Sequence, residues 1–197
     1  KMLYKSFDFV SALAYPMMFG IAGVSLTLAP LYYSSKYAPV GPAMLIESIV
    51  ILMIGWSNVI GTQYLLPVNR VKDFTTSVTI GAVVNIILNF PFISLWGLNG
   101  AMWATVLSEV AVTGYQLYVV RKDLDLSLMF QSSWKYLLAS GVMFVAVFGM
   151  NTHLKASWLW LICEVAVGVV IYAGLVYFLK APIIDQAKNL ISKKLQK

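Results

Sequence analysis

Six apolar runs dominate the sequence: Phe9–Tyr33, Pro42–Leu66, Asp73–Leu95, Leu98–Val120, Trp134–Met150 and Ser157–Leu179. Each is near the ~20 residues that an α-helix needs to cross the hydrocarbon core of a bilayer. Lipid offers no partner to an unpaired backbone amide, so each run is expected to be a helix. No ten-residue segments of alternating polarity separated by turns are present, which argues against an outer-membrane barrel. Of 197 residues, 60% are hydrophobic and 11% charged, against about 25% charged in soluble domains. So few charges cannot cover a water-facing surface. The expected fold is an all-α polytopic membrane protein with six transmembrane helices.

The charges follow the same division. Lys1 and Lys5 precede the first run, Arg70 and Lys72 separate the second and third, and Arg121, Lys122 and Lys135 separate the fourth and fifth. Lys180, Lys188, Lys193, Lys194 and Lys197 follow the sixth, and only Lys36 and Lys155 fall in the alternate loops. The positive-inside rule then puts both ends of this chain on the cytoplasmic side. The net charge of +6 suits topology and anionic headgroups better than nucleic acid, because it lies between apolar runs. The first run is too long for a signal-peptide core and lacks a cleavage site. The chain opens on Lys rather than Met, so it is expected to be part of a longer protein.

The stretch Ser57–Lys72 shows how one run ends. It carries polar Ser57, Asn58, Thr62 and Gln63, then Pro67, which cannot continue a helix, then Arg70 and Lys72. Asp73 is placed to cap the next helix. Trp96, Trp134, Trp158 and Trp160 fall near run ends, where indoles prefer the interface. In the tail 182–197, Ile183, Ile184, Ala187, Leu190, Ile191 and Leu195 share one helical face opposite lysines, which reads as an amphipathic helix on the cytoplasmic leaflet or a solvated tail.

Polar residues inside apolar runs carry the functional information, because they are costly there. The second run has Glu47, Asn58 and Gln63, with Glu47 and Asn58 about three turns apart on a common face. The third has Ser77, Gly81, Asn85 and Asn89, and the fourth has Thr105, Glu109, Thr113 and Gln116, both at helical spacing. Such stripes either glue helices together or wall a hydrated cavity. Glu109 and Glu164 are mid-run carboxylates costing roughly 2.5–3.5 kcal/mol on insertion scales. They are expected to face water, pair with a cation or carry a proton.

No catalytic constellation is present. His153 is expected in an external loop, without Cys or clustered carboxylates to make a metal site. Cys163 is the single thiol and reads as a packing residue. There is no GxSxG with a membrane histidine and no phosphate-binding glycine loop. Neither enzyme activity nor a metal or other cofactor is expected.

The run WSNVIGTQYLLPVNRVKDFTTSVTIGAVVNIILN (Trp56–Asn89) and the run GLNGAMWATVLSEVAVTGYQLYVVRK (Gly97–Lys122) resemble bacterial polysaccharide flippases of the MOP superfamily, the Wzx or polysaccharide-transporter branch. The opening KSFDFVSALAYPMMFGIAG is similar to the start of the ninth helix of that family. The resemblance implies that the six runs match helices 9–14. Residues 1–122 would be later helices of the second transport lobe, 123–181 the final helix pair, and 182–197 the tail. It implies export of undecaprenyl-pyrophosphate-linked oligosaccharide units across the bacterial cytoplasmic membrane, for capsule or exopolysaccharide. The partners implied are the bilayer, the lipid-linked oligosaccharide, a first lobe N-terminal to this chain, and polymerase or export machinery. Asn58, Gln63, Asn85, Asn89, Glu109 and Gln116 become cavity candidates, Glu109 also for ion coupling. Arg70 and Lys72 become anion candidates at the cytoplasmic mouth, although a plain topology signal explains them equally well. Lipid II or teichoic-precursor flippases, drug or cation antiporters, and a non-transporting scaffold of a polysaccharide synthase are the alternatives.

Overall fold

The structure is a computed structural model that describes residues 2–154 and 156–186. It is all-helical among those residues. The helices are α1 (Met2–Tyr33), α2 (Val40–Glu47), α3 (Ile49–Ile60), α4 (Val71–Val120), α5 (Leu126–Phe130), α6 (Ser133–His153) and α7 (Trp158–Phe178). Five continuous helical stretches are long and apolar enough to cross a membrane: Met2–Tyr33, Val40–Leu65, Val71–Val120, Leu126–His153 and Trp158–Phe178. The count expected from the sequence is six, and the difference lies wholly in α4.

At 50 residues, α4 would be ~75 Å long if straight. It is not straight. Gly97 adopts φ 56° and ψ −127°, a backbone region that essentially only glycine tolerates. Beyond it the helix folds back on itself. Gln116 Nε2 donates to Ser77 Oγ at 3.0 Å, a Cβ on Gly81 would strike Val112, and a Cβ on Gly100 would strike the Phe92 backbone. These pairs share one antiparallel register. Residues 77 and 116 would stand roughly 60 Å apart in a straight helix. The element is therefore a helical hairpin with arms 71–96 and 98–120, and its tip coincides with the break read between the third and fourth runs.

The second run is also interrupted. Two helical segments meet at Ser48, whose backbone stays right-handed helical, and the helix widens into a π-helical turn over Gly61–Leu65. There Leu66 N–H donates five residues back to Gly61 O at 3.0 Å. A chain pause follows at Pro67, with Asn69 in the left-handed region (φ 61°). Asp73 does not cap α4: the cap position is Arg70, with no side-chain cap bond. Asp73 instead accepts from Arg70 Nε at 2.6 Å, because a guanidinium outcompetes a neutral amide for a carboxylate.

The core is built around α1, which packs on α6, α7, α2 and α3. Small residues set the close contacts: Gly23 and Gly168 both lie against Val147, the geometry by which membrane helices approach without a solvent-driven force. Trp56 anchors the other end. It stacks on Phe7 (5.6 Å), meets Phe130 edge-on (5.0 Å) and donates Nε1–H to Ser11 Oγ at 3.0 Å. His153 belongs to the last turn of α6 rather than to a loop. Of the tail, Ile183 and Ile184 pack on the Ala12–Tyr136 cluster, and Gln186 Nε2 donates to Asp8 at 2.9 Å. Ala187, Leu190, Ile191 and Leu195 lie outside the described residues.

Candidate functional site

The polar stripes of the second, third and fourth runs meet in one place. A cavity of about 570 Å³ opens between α3 and the two arms of α4. Asn58 on α3, Asn85 on the first arm, and Glu109 and Gln116 on the second all line it. The register explains the meeting. Antiparallel arms hinged at Gly97 bring Ser77, Gly81 and Asn85 opposite Gln116, Val112 and Ser108. Gly81 has no side chain, which lets the arms approach at its level while the cavity stays open beside Asn85.

The four groups differ in how firmly they are held. Gln116 is 1% exposed. Its amide NH2 is fixed by Ser77, whose own hydroxyl donates to Phe74 O at 2.6 Å. That leaves Gln116 Oε1 buried without a partner, an unmet acceptor in the cavity wall that costs about 1–3 kcal/mol unless something supplies a proton or cation. Asn85 accepts from Asn89 Nδ2 at 2.9 Å, so Asn89 stands behind the cavity wall as a support. Asn58 is exposed, with its backbone carbonyl taken by Thr62 Oγ1 at 2.6 Å. Glu109 is half-buried on the same wall.

Gln63 is not brought into the cavity. It lies exposed on the π-helical turn, and five residues after Asn58 it does not share that residue's face on an α-helix. Glu47 does not line this cavity. It lines a second groove, between α1 and α2–α3, although Ile54, between it and Asn58, lines both the cavity and that groove. Ser57, read in the sequence only as part of the polar end of the second run, and Ser108, which did not stand out there, also line the cavity. Both flank a candidate directly, Ser57 before Asn58 and Ser108 before Glu109, and that adjacency was the available signal.

The basic loop has its own geometry. Arg70 is in an ion pair with Asp73 and another with Asp123 at the far end of the hairpin. The bond to Asp73, reinforced by Asp123, holds the guanidinium pKa above its usual value. Arg70 is thus committed to tying the two hairpin ends together. Lys72 is exposed and makes no ion pair among the described residues.

Glu164 follows a different pattern. It is 1% exposed and accepts from Asn151 Nδ2 at 2.7 Å. No cation pairs with it among the described residues. Asn151, at the start of the last turn of α6, replaces the solvent that a lone carboxylate would demand.

No family model matches the chain, and neither a curated protein nor a solved structure matches it.

Proposed function

We propose that this chain forms part of a membrane carrier for lipid-linked oligosaccharides, with the arms of α4 crossing the bilayer separately so that six crossings result. The observation that carries the reading is the convergence of Asn58, Asn85, Glu109 and Gln116 on one cavity. Amides and a carboxylate suit a hydroxyl-rich cargo, because each hydroxyl both donates and accepts. In this reading the bundle supplies one wall of a cavity shared with a second lobe, as the resemblance to polysaccharide flippases implies, and both ends of the chain are cytoplasmic.

Lys72 is the better-placed cation for a pyrophosphate at the mouth, since Arg70 is already paired. Moving negative charge outward along an inside-negative potential releases about 2.3 kcal/mol per charge per 100 mV, and Glu109 is the group placed to couple an ion to that movement.

The test uses single cysteines at Asn58, Asn85 and Glu109 after replacing Cys163 with Ser. A hydrated cavity makes all three react with a membrane-impermeant thiol reagent in intact membranes. Three unreactive cysteines would leave the dry-scaffold alternative and remove the carrier reading. In cells, Glu109→Gln is expected to flatten the pH dependence of lipid-linked sugar export. Export unchanged at every pH would eliminate the coupling role.

A further inference from the structure

The tip of the α4 hairpin holds a cavity of about 260 Å³, lined by Ile46, Trp96, Asn99 and Trp103. Trp96 ends the first arm and Asn99 opens the second, so the turn at Gly97 brings them together. Trp103 follows Asn99 by four residues, which sets both on one face of the second arm. Ile46 closes the cavity from α2. Phe92 meets Trp96 edge-on at 5.0 Å and braces that indole. Both indoles keep exposed surface, 56% for Trp96 and 40% for Trp103.

The lining narrows what fits. Asn99 Oδ1 is buried without a hydrogen-bond partner, so an occupant is favoured if it brings a donor. Among the described residues no carboxylate or basic side chain lines the cavity. The two indoles supply the remaining attraction, and indole faces attract cations. A group that is both donor and cation is an ammonium with at least one N–H. A sugar ring is served less well, because each hydroxyl both donates and accepts and one amide satisfies few of them. A quaternary ammonium meets the indoles but gives Asn99 no donor. The volume lies below the roughly 300–1,000 Å³ of drug-sized sites, so the cavity takes a headgroup and leaves acyl chains outside. Exposed Leu95 and Leu98 flank the tip and offer those chains apolar surface. On the topology proposed above, the tip lies at the bilayer interface, across the membrane from Arg70 and Lys72.

We infer that the Trp96–Asn99–Trp103 cavity binds the ammonium headgroup of phosphatidylethanolamine. The inference uses the membrane topology of the carrier reading but not its cargo, so either can fail without the other.

The experiment is native mass spectrometry of the detergent-purified protein, titrated with phosphatidylethanolamine and phosphatidylcholine of matched acyl chains. Phosphatidylethanolamine is expected to bind about tenfold tighter. The N,N-dimethyl headgroup keeps one N–H and should bind like phosphatidylethanolamine, so the preference should vanish only at the third methyl. Asn99→Leu and Trp103→Leu should each abolish the preference. Trp103→Phe, which keeps a weaker aromatic face, should retain part of it and serves if the leucine variant folds poorly. Trp160→Leu, which removes an indole outside the cavity, should leave the preference unchanged. Equal binding of the two lipids, or a preference that survives both leucine variants, would overturn the inference. Displacement of phosphatidylethanolamine by a free methyl pyranoside would overturn it as well, by showing a sugar site in its place.

Discussion

The α1–α6–α7 core and the α4 hairpin both place a carboxylate deep in an apolar run, and they treat it in opposite ways. In the core, Glu164 is shut away and given an amide donor by Asn151, beside small residues that let three helices close around it. In the hairpin, Glu109 faces an open cavity that Gln116 also lines. Sealing a polar group buys rigidity, since each bond is high-stakes at low dielectric. Each region keeps a buried amide oxygen without a partner, Gln116 Oε1 in the hairpin and Asn151 Oδ1 in the core, so the contrast is one of access rather than of unmet bonds. On the proposed carrier reading, that access makes the hairpin, rather than the better-packed core, the working surface.

The largest test of that contrast strikes the hairpin's closure. Gly100→Val should prevent the arms from meeting, because the side chain would enter the Phe92 backbone. The expected loss is about 3 kcal/mol or more, as for severe overpacking, seen as failure to recover folded protein in mixed-micelle unfolding. Gly114→Val, where a Cβ meets nothing within 4 Å, should leave stability unchanged. Equal tolerance of both would mean that the arms do not fold back as described.

Next comes the sealed pair. Asn151→Leu strands the Glu164 carboxylate and is expected to cost about 2–3 kcal/mol. Adding Glu164→Leu should restore most of that, since replacing both partners by apolar groups is often neutral. The corresponding change in the hairpin, Asn85→Leu, removes one bond at an open wall and should cost about 1 kcal/mol or less. If Asn85→Leu proves as damaging as Asn151→Leu, the two regions are alike and the cavity is adhesive packing.

How far the sequence carried these conclusions differs along the chain. The apolar runs, the tip at Gly97 and the facing stripes on the arms were legible, because hydrophobic length and helical spacing survive folding. The fate of each polar residue was not. Nothing local distinguishes Glu164 from Glu109; the distinction is Asn151, thirteen residues away on another helix. Asp73 read as a cap because its offset from Arg70 cannot reveal which partner it chooses. Gln63 stands five residues from Asn58, which in a regular helix already turns it away from that residue's face.

The smallest expected effect concerns the clasp that holds the hairpin ends. Arg70 joins Asp73 at the start of α4 to Asp123 just past its end, with both carboxylates partly exposed. Exposed pairs contribute about 0.2–1 kcal/mol and are screened by salt. Asp123→Asn should therefore lower stability by no more than that, and the deficit should shrink as salt rises. The same substitution frees part of the guanidinium, which places a second cation beside Lys72. If an anionic headgroup docks at this mouth, Asp123→Asn should strengthen pyrophosphate binding while slightly weakening the fold, a pairing of opposite signs that a purely structural clasp does not produce. Weakened binding would show that Arg70 must stay clasped for the mouth to form, and would leave Lys72 as the residue to test there.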